Sequence, residues 1–360
     1  MSPRCWEGPR IRGFHLFQTV GRIKRGSAPL RSGFSLHQHH NKMSQKSTLV
    51  VFGATGSQGG SVIRAVQESA DLAAQYRVRG VCRDTNKPRA KLLAETGVEV
   101  VSASLNAVED IRRALEGADA VFLVTDYPGN NCDGNLETRQ GKNVADVARE
   151  IGVKHLIFSS LPSILQATSG AVLNGHEFDA KARIEDYIRQ LDLPATFVHA
   201  GFYMELFAPG QLLKPATGES GTESWAISLP IPTDCAVLPL IDIIDYGKMV
   251  RAALIRREAF LGKSLYAAQA YYSPAQIASI VTAVKGTPCA VKELSDEEFL
   301  ALRPRSGLST RERQEEQLFM YHWMRDYGYY GGAPLDGNHE VIREPLQTFE
   351  GFVKTSTAFS

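Results

Sequence analysis

The chain has no uninterrupted apolar stretch of the roughly 20 residues that a membrane-spanning helix requires, which excludes a multi-span membrane protein. It is also poor in cysteine: Cys5, Cys82, Cys132, Cys235 and Cys289 are scattered along 360 residues, odd in number and without a CxxC pair. That spacing argues against a disulfide framework or a cysteine metal site, and a reducing compartment is the natural setting. No internal repeat is present. Net charge is only +1, too little for bulk nucleic-acid binding. Acidic residues are nearly absent from one place, the first 43 residues, where eight Lys and Arg face the single acid Glu7. The leader therefore carries +7 and the remaining chain −6.

What is present is ordinary for a water-exposed globular body: 43% hydrophobic and 22% charged residues. The length suits two domains, or one large α/β domain with an elaboration. Residues 1–43 are expected to be disordered. Two readings of them stay open: an organellar transit peptide, or an over-called extension upstream of Met43. A cytoplasmic or nuclear location is expected, and a mitochondrial one only if residues 1–42 are a transit peptide. His37, His39 and His40 lie in this tract without partner ligands and read as polar filler.

From Thr48 to about Glu205, short apolar runs alternate with helical spacing. Strands are expected at 48–52, 78–82, 98–102, 120–124, 154–159 and 195–199. Helices are expected between them, including 107–116, 137–151 and 176–190. Six such strands imply right-handed βαβ crossovers and a doubly wound parallel sheet, a Rossmann-type α/β fold over residues 44–205. After residue 206 five prolines, from Pro209 to Pro239, break the pattern. Residues 206–360 read as a smaller, irregular α/β substrate lobe with helices near 242–255, 274–284, 296–301 and 345–353. Tyr321, Trp323, Tyr327, Tyr329 and Tyr330 in this lobe read either as core or as the lining of an aromatic pocket.

The first strand runs into Gly53-Ala54-Thr55-Gly56-Ser57-Gln58-Gly59-Gly60 and then a helix. Gly53 suits a tight turn, Gly56 a close approach of a pyrophosphate, and Gly59 close packing of helix on strand. The helix N-terminus offers free N–H groups to an anion. A glycine triplet alone says little, but strand, loop and helix together form a dinucleotide-binding context. After the second strand comes Arg83, with Lys87 four residues on. A basic residue at that place accommodates a 2′-phosphate, so NADP(H) is expected over NAD(H).

These residues resemble the NmrA-like family, an atypical branch of the short-chain dehydrogenase/reductases. The resemblance rests on VFGATGSQGG (51–60), FLVTDY (122–127), KHLIFSSL (154–161), FDAKARIEDYIRQ (178–190), PATFVHAGFYMELF (194–207) and TFEGFVK (348–354). It implies that Gly53, Thr55, Gly56, Ser57, Gln58 and Gly59 hold the pyrophosphate, and that Arg83 and Lys87 hold the 2′-phosphate. It also implies Leu105 and Asn106 near the adenine and Thr125 and Tyr127 near the nicotinamide ribose. Ser159, Ser160 and Leu161 would lie beside the nicotinamide, with Lys181 below, which puts Ser160 at the substrate pocket. Apart from the resemblance, Tyr203 reads with the C-terminal aromatic group as lining that pocket.

Typical members of the wider superfamily use Tyr-x-x-x-Lys on the helix after the fifth strand. Here Lys181 matches the lysine, but the position four residues earlier is Glu177. Lys181 is then a candidate proton donor as well as a ribose ligand, as in the isoflavone-reductase-like relatives. His176 is a weaker candidate, being rotated about 140° from Lys181 if both lie on one helix. The plainer reading of Lys181 is a surface lysine bridging Glu177 and Glu185. Two functions follow: an NADP(H)-dependent reductase of a small organic carbonyl, enone or quinone, or a non-catalytic redox sensor. The reductase takes a small-molecule substrate. The sensor regulates a protein partner such as a transcription factor. Direct nucleic-acid contact and a membrane span are not expected.

Overall fold

The computed structural model describes residues 46–171, 175–217, 221–302 and 311–359, so the basic leader and its histidines lie outside the described residues. Strand β1 (Ser47–Phe52) is the apolar run expected from the sequence. Its alternate side chains enter two different cores: Leu49 and Val51 one, Val50 and Phe52 the other. Only a strand covered on both faces needs apolar residues at every position.

The chain proceeds through α1 (Ser57–Gln67), α2 (Ala70–Gln75), β2 (Tyr76–Cys82), α3 (Pro88–Glu95), β3 (Glu99–Ser102) and α4 (Val108–Leu115). It continues with β4 (Ala120–Leu123), α5 (Gly134–Glu150), β5 (His155–Ser160), α6 (Ile164–Ala167), α7 (His176–Gln190) and β6 (Ala195–Ala200). The six expected strands are all present. Helices α1, α3, α4, α5 and α7 fall where the spacing put them, and each strand pairs with its sheet neighbour in parallel.

Beyond Ala200 come β7 (Phe202–Tyr203), β8 (Leu213–Thr217), β9 (Glu223–Leu229), β10 (Leu238–Ile241), α8 (Ile243–Ile255), α9 (Arg257–Phe260), β11 (Ser264–Ala267) and β12 (Ala270–Tyr272). Then follow α10 (Pro274–Lys285), β13 (Cys289–Glu293), α11 (Asp296–Ala301), α12 (Arg311–Tyr327), α13 (Asp336–Ile342) and α14 (Phe349–Thr355). Strand β11 returns to the main sheet and lies parallel to β6, which gives seven strands in the order β11-β6-β5-β4-β1-β2-β3. A four-residue strand, SLYA, is too short for its period to be read from sequence alone. Two three-stranded sheets, β12-β10-β7 and β13-β9-β8, make up the smaller mixed part.

Helices α1 and α8 cover one face of the sheet with Val62, Ile63, Tyr246 and Met249. Helices α4, α5 and α7 cover the other with Ile111, Val144, Ile184 and Ile188. The aromatic group of the C-terminal part is mostly core. Trp323 packs edge-on to Phe178 at 5.4 Å, and Tyr330 stacks on Tyr266 at 4.5 Å. Tyr329 and Tyr330 donate their hydroxyls to the carbonyls of Ala200 and His199, tying this segment to the end of β6. Tyr327 is exposed.

Candidate active site

Strand order reverses between β1 and β4, and residues leaving the carboxyl ends of these strands line the crevice where ligands of doubly wound sheets sit. Gly53 opens the loop after β1 at φ +63°, and a Cβ there would lie 2.7 Å from Val124 Cγ1. At Gly59 a Cβ would stand 2.3 Å from the Gly53 carbonyl oxygen, so the first turn of α1 rests directly on the loop. Gly56 caps α1 without a side chain, leaving the first-turn N–H groups without a side-chain acceptor. A bare helix N-terminus above a loop with no room for Cβ atoms fits an anionic pyrophosphate. A groove of about 360 Å³ lies alongside, lined by Thr55, Gly56, Ser57 and Arg89 among others. Arg89, the second residue of α3, was not among the residues singled out from sequence. Its only signal there was proximity to Lys87.

Arg83 follows β2 and reaches Asp126, which follows β4, with Nη2 3.4 Å from Oδ2. Since β1 lies between β2 and β4, the pair joins the ends of the two strands that flank β1. Both groups are largely exposed, 80% and 57%, so the bridge is weak and available for exchange. Lys87 is exposed at the N-cap of α3. Farther along the same rim, the Leu105 carbonyl accepts from Asn143 and the Asn106 side chain accepts from Gln140, which pins the loop after β3 to α5.

On the α7 face, Lys181 is buried and bridges neither Glu177 nor Glu185. Its Nζ donates to Glu137 Oε1 at 2.6 Å, to Thr125 Oγ1 at 2.9 Å and to the Thr125 carbonyl at 3.1 Å. Thr125 donates in turn to Glu137 Oε1 at 2.6 Å. The surface-lysine reading is therefore corrected: the counter-ion comes from α5, 44 residues away. Sequence offered little to find Glu137, because an acid in the first turn of a helix is already explained by the helix dipole. His176 is the first residue of α7 and is exposed. The helix runs unbroken from it to Lys181, so the rotation of about 140° applies and turns it away from the lysine.

Ser159 and Ser160 end β5 and, by the period of two, point to opposite faces. Ser159 follows Ile157 toward the α8 side, close to the buried Tyr246 hydroxyl, whose pKa is raised by burial and restrained by Ser159. Ser160 follows Phe158 toward α7 and Glu185. Glu185 is bonded to His199 at 2.8 Å and to Arg189 at 2.7 Å. Burial pushes its carboxyl up, but His199, Ser160 and Arg189 outweigh this and bring it down to about 2. Tyr203 accepts a 2.5 Å hydrogen bond from Gln58 Nε2, joining the first turn of α1 to the end of β7. Burial raises its pKa. Tyr127 is buried, donates to Glu316 Oε2 at 3.2 Å and is likewise raised, by burial first and Glu316 second.

Thus the glycine loop and the ends of β2, β4 and β5 lie along the carboxyl edge of the sheet, with Lys181 and Glu137 held against Thr125. A model of the NmrA-like family matches residues 45–353. The chain belongs to the NmrA-like family. Among its relatives, an NmrA-like family domain-containing protein of Dictyostelium discoideum is 29% identical over 87% of this chain and 98% of its own length. The NmrA-like family domain-containing oxidoreductase cpsB of Aspergillus campestris is 30% identical over 61% of this chain and 67% of its own. Two solved structures share the NmrA-like fold. NmrA, a negative transcriptional regulator, in complex with NADP has a TM-score of 0.69 at 22% identity, covering 87% of this chain and 96% of that one. Triphenylmethane reductase of Citrobacter sp. complexed with NADP(H) has a TM-score of 0.69 at 21% identity, covering 86% and 99%. NmrA has also been solved with NAD. Among the described residues no helix is long and apolar enough to cross a membrane, and no group of three or more His, Cys, Asp or Glu is placed to hold a metal ion.

Proposed function

We propose that this chain is an NADP(H)-dependent oxidoreductase acting on a small organic carbonyl, enone or quinone. The observation that carries this reading is the β1–α1 loop, where Gly53 and Gly59 leave no space for a Cβ beneath a side-chain-free helix N-terminus. Gly53, Thr55, Gly56, Ser57, Gln58 and Gly59 are assigned to the pyrophosphate, and Arg83 and Lys87 to the 2′-phosphate. Leu105 and Asn106 are assigned to the adenine side, and Thr125, Tyr127, Ser159 and Lys181 to the nicotinamide side. When bound, the dinucleotide supplies or accepts the hydride. The protein's part is to orient it and to hold a proton near the reacting oxygen. That role is assigned to Lys181, which lies one turn after Glu177 and is held by Thr125 and Glu137. The Aspergillus relative, named an oxidoreductase, and the reductase among the structural neighbours support this reading.

A redox sensor acting on a protein partner is the second reading, and one observation favours it. All three Lys181 ammonium hydrogens are matched by acceptors, and the usual tyrosine position holds Glu177, itself paired with Arg313. A site so arranged binds well and donates protons poorly. The regulator among the structural neighbours is consistent with it.

Titration of the protein with NADPH, NADP⁺ and NAD⁺, then NADPH consumption against a carbonyl and quinone panel with Lys181→Ala alongside, tests both. Tight binding with turnover that collapses in the variant supports the reductase. Binding that differs between redox states without turnover supports the sensor. Absence of dinucleotide binding overturns both.

A further inference from the structure

Residues four apart on a helix share a face, so Glu177 stands on the face of α7 that carries Lys181. Its carboxylate pairs with Arg313, which arrives from α12. Arg313 also donates to Glu316 Oε2 at 2.7 Å, and its guanidinium carbon lies 5.1 Å from the centre of the Tyr127 ring. One cation thus meets two carboxylates, but the two are held differently. Glu316 is fixed by three partners: Arg313, the Tyr127 hydroxyl and the backbone N–H of Glu177, which it accepts at 2.8 Å. In effect it caps α7, whose own N-cap residue, Gly175, has no side chain to do so. The Glu177 carboxylate leans on Arg313 and is the most exposed of the three side chains, at 24% against 18% and 9%.

We propose that Arg313 is the anchor for a carboxylate-bearing substrate and that Glu177 occupies the anchor when no substrate is present. The inference rests on the oxidoreductase reading and narrows it to carbonyls or enones that carry a carboxylate. The planar guanidinium suits a carboxylate. Its Nη1 holds Glu316 and its Nη2 holds Glu177, the more exposed of the two carboxylates. Exchanging Glu177 for a ligand carboxylate leaves the buried charge balance unchanged, so the exchange avoids the penalty of an unpaired ion. A neutral ligand leaves Glu177 in place and meets its surplus negative charge.

The test uses benzoate and its neutral counterpart benzamide, titrated calorimetrically into the full chain with and without saturating NADP⁺. Wild type, Glu177→Gln, Glu177→Ala and Glu177→Gln/Arg313→Gln are compared, each checked for a cooperative melt. The expected result is benzoate affinity raised roughly tenfold or more in both Glu177 variants, benzamide affinity unchanged, and the gain abolished by adding Arg313→Gln. Equal gains for benzoate and benzamide, or no gain in the single variants, overturn the proposal without recourse to the double variant. Failure of NADP⁺ itself to bind wild type overturns the cofactor reading instead, and the dinucleotide-free titrations separate the two failures.

Discussion

The Lys181 ammonium lies 2.6 Å from a Glu137 carboxylate with no solvent exposure at all, and Thr125 is hydrogen-bonded to both. Removing one member leaves the other charge buried and unpaired, which costs about 3–5 kcal/mol. Glu137→Gln and Lys181→Met are each expected to lower unfolding free energy by about 3 kcal/mol or more in urea titrations. Glu137→Leu/Lys181→Met should recover most of the loss. Single variants that melt like wild type would show that the pair is solvated rather than buried.

The role proposed for Arg83, holding a 2′-phosphate, competes with its exposed pairing to Asp126. Arg83→Ala is expected to weaken NADP⁺ binding roughly tenfold or more, the loss of a charge-assisted hydrogen bond, while leaving NAD⁺ nearly unchanged. Asp126→Asn should strengthen NADP⁺ by no more than a few-fold, because the pair it breaks is exposed. Fluorescence titrations with both dinucleotides check this. Equal losses for NADP⁺ and NAD⁺ in Arg83→Ala would refute the assignment.

Two neighbouring glycines make an internal control. In Gly59→Ala the new methyl would meet the Gly53 carbonyl at 2.3 Å, forcing the loop and α1 apart. Destabilisation by about 1–3 kcal/mol and loss of dinucleotide binding are expected. Gly60→Ala meets nothing nearer than 3.8 Å and adds helix propensity, so it should bind normally and be slightly more stable. Denaturation and binding curves for the two variants should diverge; matching behaviour would sink the close-packing argument.

His155 at the start of β5 is buried against Thr196, and burial, with Arg257 nearby, brings its pKa down to about 4. The unfolded chain takes up this proton near pH 6.5, the folded protein only near 4. Stability should therefore be unaffected by this group above about pH 6.5, fall as pH drops toward 4, and level off below, for a loss of about 3 kcal/mol. The wild-type minus His155→Gln difference in urea midpoints across pH 4–8 should trace that curve. A flat difference would rule out the shifted histidine.

Much of the fold could be read from sequence because fully buried parallel strands need apolar residues at every position, as in β1. The glycine loop was legible for a related reason: close approach of backbone to backbone leaves glycine as the residue that fits, as at Gly59. The α7 lysine was found, but not its surroundings. Glu137 reaches the lysine from 44 residues away, and Arg313 and Glu316 reach Glu177 from 136 and 139 residues away; a local pattern does not report such separations. Helix α12 was missed because its charged start, Arg-Glu-Arg-Gln-Glu-Glu-Gln, looks like a solvated face, whereas Glu316 and Gln314 are buried. Strand β11 was missed because a four-residue strand carries too few positions to show a period.

That last strand also sets an order of events. Ser264 pairs with Phe197, and the 66 residues between them include α8, α9 and the four small-sheet strands β7, β8, β9 and β10. Until a growing chain extends past Ala267, β6 is an edge with unpaired N–H and C=O groups, the kind of edge that recruits other chains. Its end also waits for the hydroxyls of Tyr329 and Tyr330. A polypeptide ending near residue 205 would hold every glycine of the cofactor loop and still be sticky along one side. The far third of the chain thus covers the sheet edge that the earlier part leaves open.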